Sequence, residues 1–421
     1  MFRDRANGFI INSLLDVDFY KFTMGQFAYL NNRETQVTYK LINRTVNVRL
    51  AEHIDMRRLQ NELDHVRTLS FTIWEINYLR KLMCGDKPMF FERYLNFLFR
   101  ELRLPEVKVS VVDGQPSVEV SGPWPIVILW ETIILSIVTE LYGESQISKR
   151  TQFLAEAARA KGIVRLAEKI LILDSHPEIS ISEFGTRRRF SAAWQRYVVR
   201  SLQQHFEPSQ LLGTSNTLLA KQLILPPKAT FGHELFMVRA ALAGGDDDTL
   251  RNSHNQVLQD WWELYGHSLS IALTDTFGSE FFFSDMTAEQ ARQWKGLRQD
   301  SGDPFVFGER AIQFYRDAGL SNDEIKDKLI VFSDGLELQK ILDLSARFEG
   351  RIKTTFGWGT NLTNDLGLPT LSLVVKATSV DGHSTVKLSD NIAKAMGTKE
   401  DIARYARVFG YANTQSVACK Y

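Results

Sequence analysis

Hydrophobic and polar positions are arranged differently in the two halves of the chain. Leu14 to Met24 (LLDVDFYKFTM) shows helical spacing behind an aspartate that suits an N-cap, and Thr35 to Asn43 alternates as a half-buried strand does. Arg49 to Cys84 and Phe90 to Leu102 are charged and helical in pattern. Val107–Val112 and Ser117–Val120 flank Asp113-Gly114 and predict a hairpin whose turn is longer than two residues. Gly122-Pro123-Trp124-Pro125 interrupts, and a long amphipathic helix is expected from about Ile126. Residues 1–140 are therefore expected to form an N-terminal α+β domain.

From about residue 145 a single unit repeats: a short apolar strand, a polar or glycine loop, then a helix. Seven strand ends are expected, near Ser182, Gly213, Thr230, Thr274, Gln299, Ser333 and Phe356. Repeated βα units imply a parallel sheet covered by helices, and this many favour closure. The fold class expected is α/β, an irregular TIM-like barrel over 141–378. The run Leu371 to Thr378, then Asp381-Gly382, then Thr385 to Leu388, reads as a hairpin. Residues 379–421 should accordingly leave the barrel and pack back on the first domain, with a helix at 399–408.

Composition narrows the function. The 421 residues carry 50 basic and 50 acidic side chains, so no global basic excess supports nucleic-acid binding. Any affinity for phosphate must be local. Met1 to Arg5 contains an acid and no apolar run, unlike a signal peptide. The apolar stretch Pro125 to Val138 contains Glu131 and Thr132 and is short for a membrane span. Cys84 and Cys419 match no metal spacing and suggest a reducing compartment, with structural roles for both. A cytoplasmic protein is expected, with no nucleic acid or membrane partner.

In a βα barrel the reactive groups lie at the C-terminal ends of the strands. Here those ends offer Phe184 with Arg187-Arg188-Arg189, Gly213-Thr214-Ser215-Asn216, His233-Glu234, Thr274-Asp275-Thr276, Arg298 to Asp303, Ser333-Asp334-Gly335, and Gly357-Trp358-Gly359. Arginine forks and glycine turns suit a phosphate, aspartates suit Mg²⁺ or ribose hydroxyls, and an aromatic suits a flat ring. Taken singly, each has a plainer reading. Three arginines can form a solvated turn, Asp300 to Pro304 an ordinary turn, and His233 a structural histidine. No P-loop, dinucleotide-binding fingerprint or HExxH is present.

Leu15 to Lys21, Glu183-Phe184-Gly185-Thr186-Arg187-Arg188, Gly213 to Asn216, His233-Glu234, Asp300 to Asp303 and Lys387-Leu388-Ser389, in this order, resemble the nicotinate phosphoribosyltransferases of the bacterial type. The resemblance implies a type II phosphoribosyltransferase fold and a homodimer with shared active sites. It also implies condensation of nicotinate with 5-phosphoribosyl 1-diphosphate, driven by ATP hydrolysis, in NAD salvage.

On that resemblance Phe184 and Tyr20 of the partner subunit would sandwich the pyridine ring. Arg187 would hold phosphate and Arg298 would face the substrate. Asp300 and Asp334 would address the ribose or its metal, and Gly357 to Gly359 would cradle the 5′-phosphate. Ser215 would suit a carboxylate substrate. His233 would be phosphorylated by ATP, with Glu234 a possible orienting group, although neighbours on a helix diverge. Mg²⁺ would be held largely by substrate phosphates. The C–N bond would form through an oxocarbenium-like ribosyl cation, which calls for positioning and charge stabilisation. A quinolinate phosphoribosyltransferase, a phosphate-binding barrel aldolase or isomerase, and a non-catalytic ligand-binding protein on the same fold are the alternatives. Which of the three arginines reaches phosphate stays open at this level.

Overall fold

The computed structural model describes residues 8–412; Met1 to Arg5 and Cys419 lie outside the described residues. Five strands build the first layer, in the antiparallel order His383–Ser384, Leu373–Val380, Gln36–Asn43, Gln115–Pro123, Lys108–Val112. The central strand turns Val37 and Tyr39 into the core, as its alternation predicts. The hairpin at Asp113-Gly114 is tighter than expected, because the second strand begins at Gln115. Both turn residues have positive φ, 50° and 74°, the backbone that a two-residue turn between right-twisted strands requires. Asp381-Gly382 repeats the device at φ 46° and 84°. Strand Leu373–Val380 already pairs with Gln36–Asn43, so the chain returns to the first domain before residue 379.

Two helical expectations change. The first helix begins at Tyr20, and neither Asp16 nor Asp18 caps it. Instead the stretch before it is laid along the barrel: Phe19 N–H donates to Ser215 O at 2.7 Å, Thr217 N–H to Val17 O at 3.0 Å, and Leu218 N–H to Leu15 O at 2.9 Å. The expected amphipathic helix is two segments, Trp124–Val127 and Trp130–Ser148, and is buried almost all round. Residues 124–148 are long and apolar enough to cross a membrane, yet 94% of their apolar window is inside the protein. They form a central core helix packed between the sheet and the barrel.

The barrel sheet is parallel and six-stranded, in the order Leu211–Thr214, Ile181–Glu183, Lys353–Trp358, Leu329–Phe332, Gly296–Gln299, Ile271–Leu273. The seventh expected strand, ending near Thr230, is extended chain joined by one bridge, Thr214 to Pro227. Thr214 N–H donates to Pro226 O at 3.3 Å and Lys228 N–H to Thr214 O at 2.8 Å. Pro226 and Pro227 have no N–H to give, so a ladder cannot propagate and the barrel is irregular here. The other six strands lie where the apolar runs predict.

Candidate active site

The strand ends and the first-domain segment enclose a cavity of about 150 Å³. Tyr20, Phe184, Arg187, Ser215, His233, Arg298, Asp300, Asp334, Gly357 and Gly359 all line it. Eight cationic and five acidic residues line the same space, so the lining is net positive although the chain is neutral. A positive cavity in a neutral protein concentrates polyanions locally.

Tyr20 in this pocket is the chain's own. It is placed there by the backbone seam between residues 15–19 and 215–218. The Tyr20 hydroxyl donates to Glu131 at 3.1 Å and accepts from Arg187 at 3.3 Å, and the Arg187 guanidinium carbon lies 5.4 Å from the Tyr20 ring centroid. Phe184 follows the strand Ile181–Glu183, and its N–H donates to Trp358 O at 2.8 Å. Its ring lies over Gly357, where an added Cβ would stand 2.5 Å from the ring edge. Gly357 thus makes room for an aromatic platform. Glu183 locks the turn from behind, accepting from Gly185 N–H, Gln195 and Thr214. Burial pushes its carboxyl up to about 7.

The three arginines divide their work. Arg187 and Arg188 sit in a short 3₁₀ turn, Thr186–Arg188, and Arg189 follows it in extended backbone, ahead of the helix Ala192–His205, which Ser191 caps through Trp194 N–H. Arg187 and Arg188 line the cavity. Arg189 is 1% exposed, faces the opposite way, and forms a bidentate pair with Asp16 at 2.6 and 2.8 Å. Arg187 Nε is paired with Asp18 at 2.9 Å, and Asp18 also accepts from Ser215 at 2.6 Å. Burial raises the Asp18 carboxyl, and Arg187 offsets part of that. The Ser215 hydroxyl proton is therefore engaged by Asp18.

His233 precedes the helix Glu234–Leu242 and is 4% exposed. Its Nδ1 is 3.0 Å from Thr276 Oγ1, and its Nε2 is 3.0 Å from both Asp300 Oδ2 and Lys387 Nζ. The Lys387 ammonium can only donate and the Asp300 carboxylate can only accept, so the two contacts at Nε2 call for opposite tautomers of the ring. Burial and then the Lys387 charge lower His233 to about 4, which keeps the ring neutral at pH 7. Burial likewise lowers Lys387 to about 8. Asp300 is held well below the usual carboxylate range: burial opposes ionisation, and Arg298, His233 and Lys387 outweigh it. Asp334 accepts from Lys394 at 2.7 Å, and Arg298 donates to Phe231 O at 3.2 Å.

Glu234 does not orient His233. It turns into the core, where Lys21 donates to it at 2.7 Å, Trp124 Nε1–H donates at 2.6 Å, and Tyr39 donates as well. Lys21 also pairs with Glu131 at 2.5 Å, joining the underside of the Tyr20 and Arg187 cluster to the start of the His233 helix. Lys387, Lys394, Lys376, Asp18 and Glu131 were not singled out from the sequence as site residues. Lys387 stood in a quoted motif without a role, and Lys376 and Lys394 are isolated lysines in unremarkable surroundings. Only the return of the C-terminal segment brings them to the barrel rim.

His233, Asp275 and Asp300 each place a ligand-type atom within 4.8 Å of the others. The Lys387 ammonium sits among them, 3.0 Å from His233 Nε2 and 3.6 Å from Asp275 Oδ2. Two carboxylates are already matched here by the Lys387 ammonium and by the Arg298 guanidinium 4.0 Å from Asp300, and an imidazole is a poor partner for Mg²⁺, which prefers oxygen. This cluster does not suit Mg²⁺ as an all-protein site.

The comparisons agree with this geometry. The model of the nicotinate phosphoribosyltransferase (NAPRTase) family matches residues 179–413, and that of its N-terminal domain matches residues 15–139. The fold superposes on a nicotinate phosphoribosyltransferase from Porphyromonas gingivalis with TM-score 0.83 and 31% identity, covering 95% of this chain and 100% of that one. The enzyme from Vibrio cholerae gives TM-score 0.83 and 30% identity over 96% and 95% of the two chains. A putative nicotinate phosphoribosyltransferase from Saccharomyces cerevisiae gives 0.81 and 28% over 97% and 100%. With both halves matched and the cleft built from residues of each, the chain belongs to the nicotinate phosphoribosyltransferase family and is an enzyme of that type.

Proposed function

We propose that the enzyme joins nicotinate to 5-phosphoribosyl 1-diphosphate, releasing nicotinate mononucleotide and diphosphate, and couples this to ATP hydrolysis through transient phosphorylation of His233. The observation that carries the reading is a buried imidazole, neutral at pH 7, whose Nε2 lies between Asp300 and Lys387 at a cation-lined cleft. In the coupling step Nε2 attacks the γ-phosphorus of ATP and the bond to the β,γ-bridging oxygen breaks, leaving ADP. Water later takes the phosphoryl group as inorganic phosphate. The contact of Nδ1 with Thr276 fixes the ring plane, and in the tautomer with the proton on Nδ1 Lys387 is placed to shift from Nε2 to a phosphoryl oxygen.

Tyr20 and Phe184 bracket the pyridine ring from one chain, a stacking contribution of roughly 0.5–1.5 kcal/mol beyond burial. Arg187 faces the acidic end of that ring or the phosphate beside it, and Arg298 closes the other side. As diphosphate departs, positive charge develops on the ribosyl carbon, and Asp300 and Asp334 are the carboxylates nearest the ribose position. Bound through the substrate phosphates, Mg²⁺ would supply charge neutralisation there, since the His233 cluster already holds an ammonium.

The test is a product assay with labelled nicotinate, phosphoribosyl diphosphate and Mg²⁺, with and without ATP, on the wild type and on His233→Ala. Product is expected from both proteins, and ATP stimulation only from the wild type. Equal stimulation of the variant would remove His233 as the phosphorylated residue. Product from quinolinate and none from nicotinate would overturn the substrate assignment.

A further inference from the structure

Lys21 is completely buried and takes no part in ring binding or in the coupling step. It follows Tyr20 in the first turn of the helix Tyr20–Asn31, and its ammonium lies 2.5 Å from Glu131 and 2.7 Å from Glu234. Burial opposes its charge, and the two carboxylates outweigh that. An apolar side chain of similar volume would fill the same space without the desolvation, so packing alone does not account for an ammonium here.

Each carboxylate leads to a different part of the cleft. Glu131 accepts from the Tyr20 hydroxyl at 3.1 Å and stands 3.5 Å from Lys376 and 3.8 Å from Arg187. Burial opposes its ionisation, and Lys21, ahead of Lys376 and Arg187, outweighs it. An anionic substrate draws Arg187 and Lys376 toward itself, and Lys21 is the cation that stays with Glu131. Glu234 opens the helix Glu234–Leu242, one residue after His233. Lys21, Trp124 and Tyr39 pin its side chain in the core. Neighbours on a helix diverge by about 100°, so a Glu234 held inward turns His233 out to the cleft.

We propose that Lys21 is a positioning residue for both parts of the cleft. Through Glu131 it fixes Tyr20 and frees Arg187 and Lys376 for the anionic substrate; through Glu234 it aims His233. It touches neither substrate nor the reacting atoms. The second role rests on His233 as the phosphorylated residue, and the first does not.

Kinetics of the full-length chain test this. The KM for nicotinate, measured without ATP, reads the first role, and the factor by which ATP raises kcat/KM reads the second. Neither depends on the fraction of protein folded, so a loss of stability alone moves neither. Lys21→Met should raise the KM about tenfold and cut the ATP stimulation about fivefold or more, the cost of misplacing groups by a fraction of an ångström. Glu131→Gln should move the KM more than the stimulation, and Glu234→Gln the stimulation more than the KM. Added to Glu131→Gln, Lys21→Met should change the KM by less than about twofold, because it acts on the KM through Glu131. Lys21→Met takes the ammonium from two buried carboxylates. If it fails to fold, Lys21→Met combined with Glu234→Gln removes one charge of each sign and should still raise the KM. A folded Lys21→Met with both readouts within about twofold of the wild type overturns the proposal, as does a wild-type KM in that double variant. Additive effects of Lys21→Met and Glu131→Gln on the KM overturn the route through Glu131. A wild type that gains nothing from ATP removes the phosphohistidine reading and the second role with it, while the KM still decides the first.

Discussion

Replacing Arg189 by alanine should damage the fold far more than replacing Arg187, although the two are separated by one residue in a run of three arginines. Arg189 is 1% exposed and satisfies Asp16 through two short bonds, Gln195 at 3.2 Å, and Glu140 at 3.7 Å. Asp16 and Glu140 are themselves buried, and Asp16 also accepts from Asn216 at 2.7 Å. Burial alone would raise the Asp16 carboxyl, but the Arg189 charge holds it below its ordinary value. Without Arg189 the buried Asp16 carboxylate loses its bidentate partner and Glu140 loses a contact, a loss of about 3–5 kcal/mol for a broken buried pair. Arg187 is different. Its side chain is 34% exposed, so solvent screens its pairs, and its removal should cost about 1 kcal/mol of stability or less. It should instead lower kcat/KM about 10- to 100-fold, the value of one or two charge-assisted hydrogen bonds to an anionic substrate. Urea unfolding followed by tryptophan fluorescence, with kinetics on the same preparations at low temperature, separates the two effects. If Arg189→Ala unfolds within about 1 kcal/mol of the wild type, or if Arg187→Ala is the less stable of the pair, the assigned division of labour is wrong.

Two further outcomes follow from the site. Gly357→Ala would put a methyl group 2.5 Å from the Phe184 ring, well inside contact distance, so the ring must move by about an ångström. The KM for nicotinate should rise by about tenfold or more while urea stability falls little; an unchanged KM would show that the ring does not carry the base. The second outcome concerns pH. His233 titrates at about 4 in the folded protein and near 6.5 when unfolded, so the unfolded chain takes up the proton first. Its neutral burial therefore contributes fully above pH 6.5 and is lost as pH falls toward 4, about 3 kcal/mol in all. Unfolding free energies of His233→Gln should depend less steeply on pH across that window than those of the wild type. Equal slopes would place the histidine in a solvated setting.

Periodicity alone located six of the seven expected barrel strands and the central strand Gln36–Asn43, because a buried parallel strand must be a short apolar run and a half-buried one must alternate. Chain order of polar strand ends places most of the site list on one rim, since every βα unit delivers its loop there, whereas Tyr20 and the roles came with the family resemblance. What stayed out of reach depended on partners distant in sequence. The extended segment at Thr230 failed as a strand through two prolines on a chain whose neighbour is fixed only by the fold. The helix from Trp124 read as amphipathic because nothing local says that Glu131 and Glu140 will find Lys21 and Arg189 inside the protein.

The same limit governs the chemistry. Arg187, Arg188 and Arg189 are indistinguishable as letters, and it was the placement of Asp16 and Asp18 along the loop Thr214–Thr217 that sent one inward and left two at the cleft. Tyr20 is placed in the pocket by the backbone bonds of that seam. Lys387 became the neighbour of His233 only when the C-terminal hairpin folded back across the first sheet. The sequence by itself determined which groups are available and the rim on which they gather, because both follow from local period and chain direction. Tertiary structure decided their charge states and partners, because desolvation and Coulomb interaction depend on what lies within a few ångströms in space.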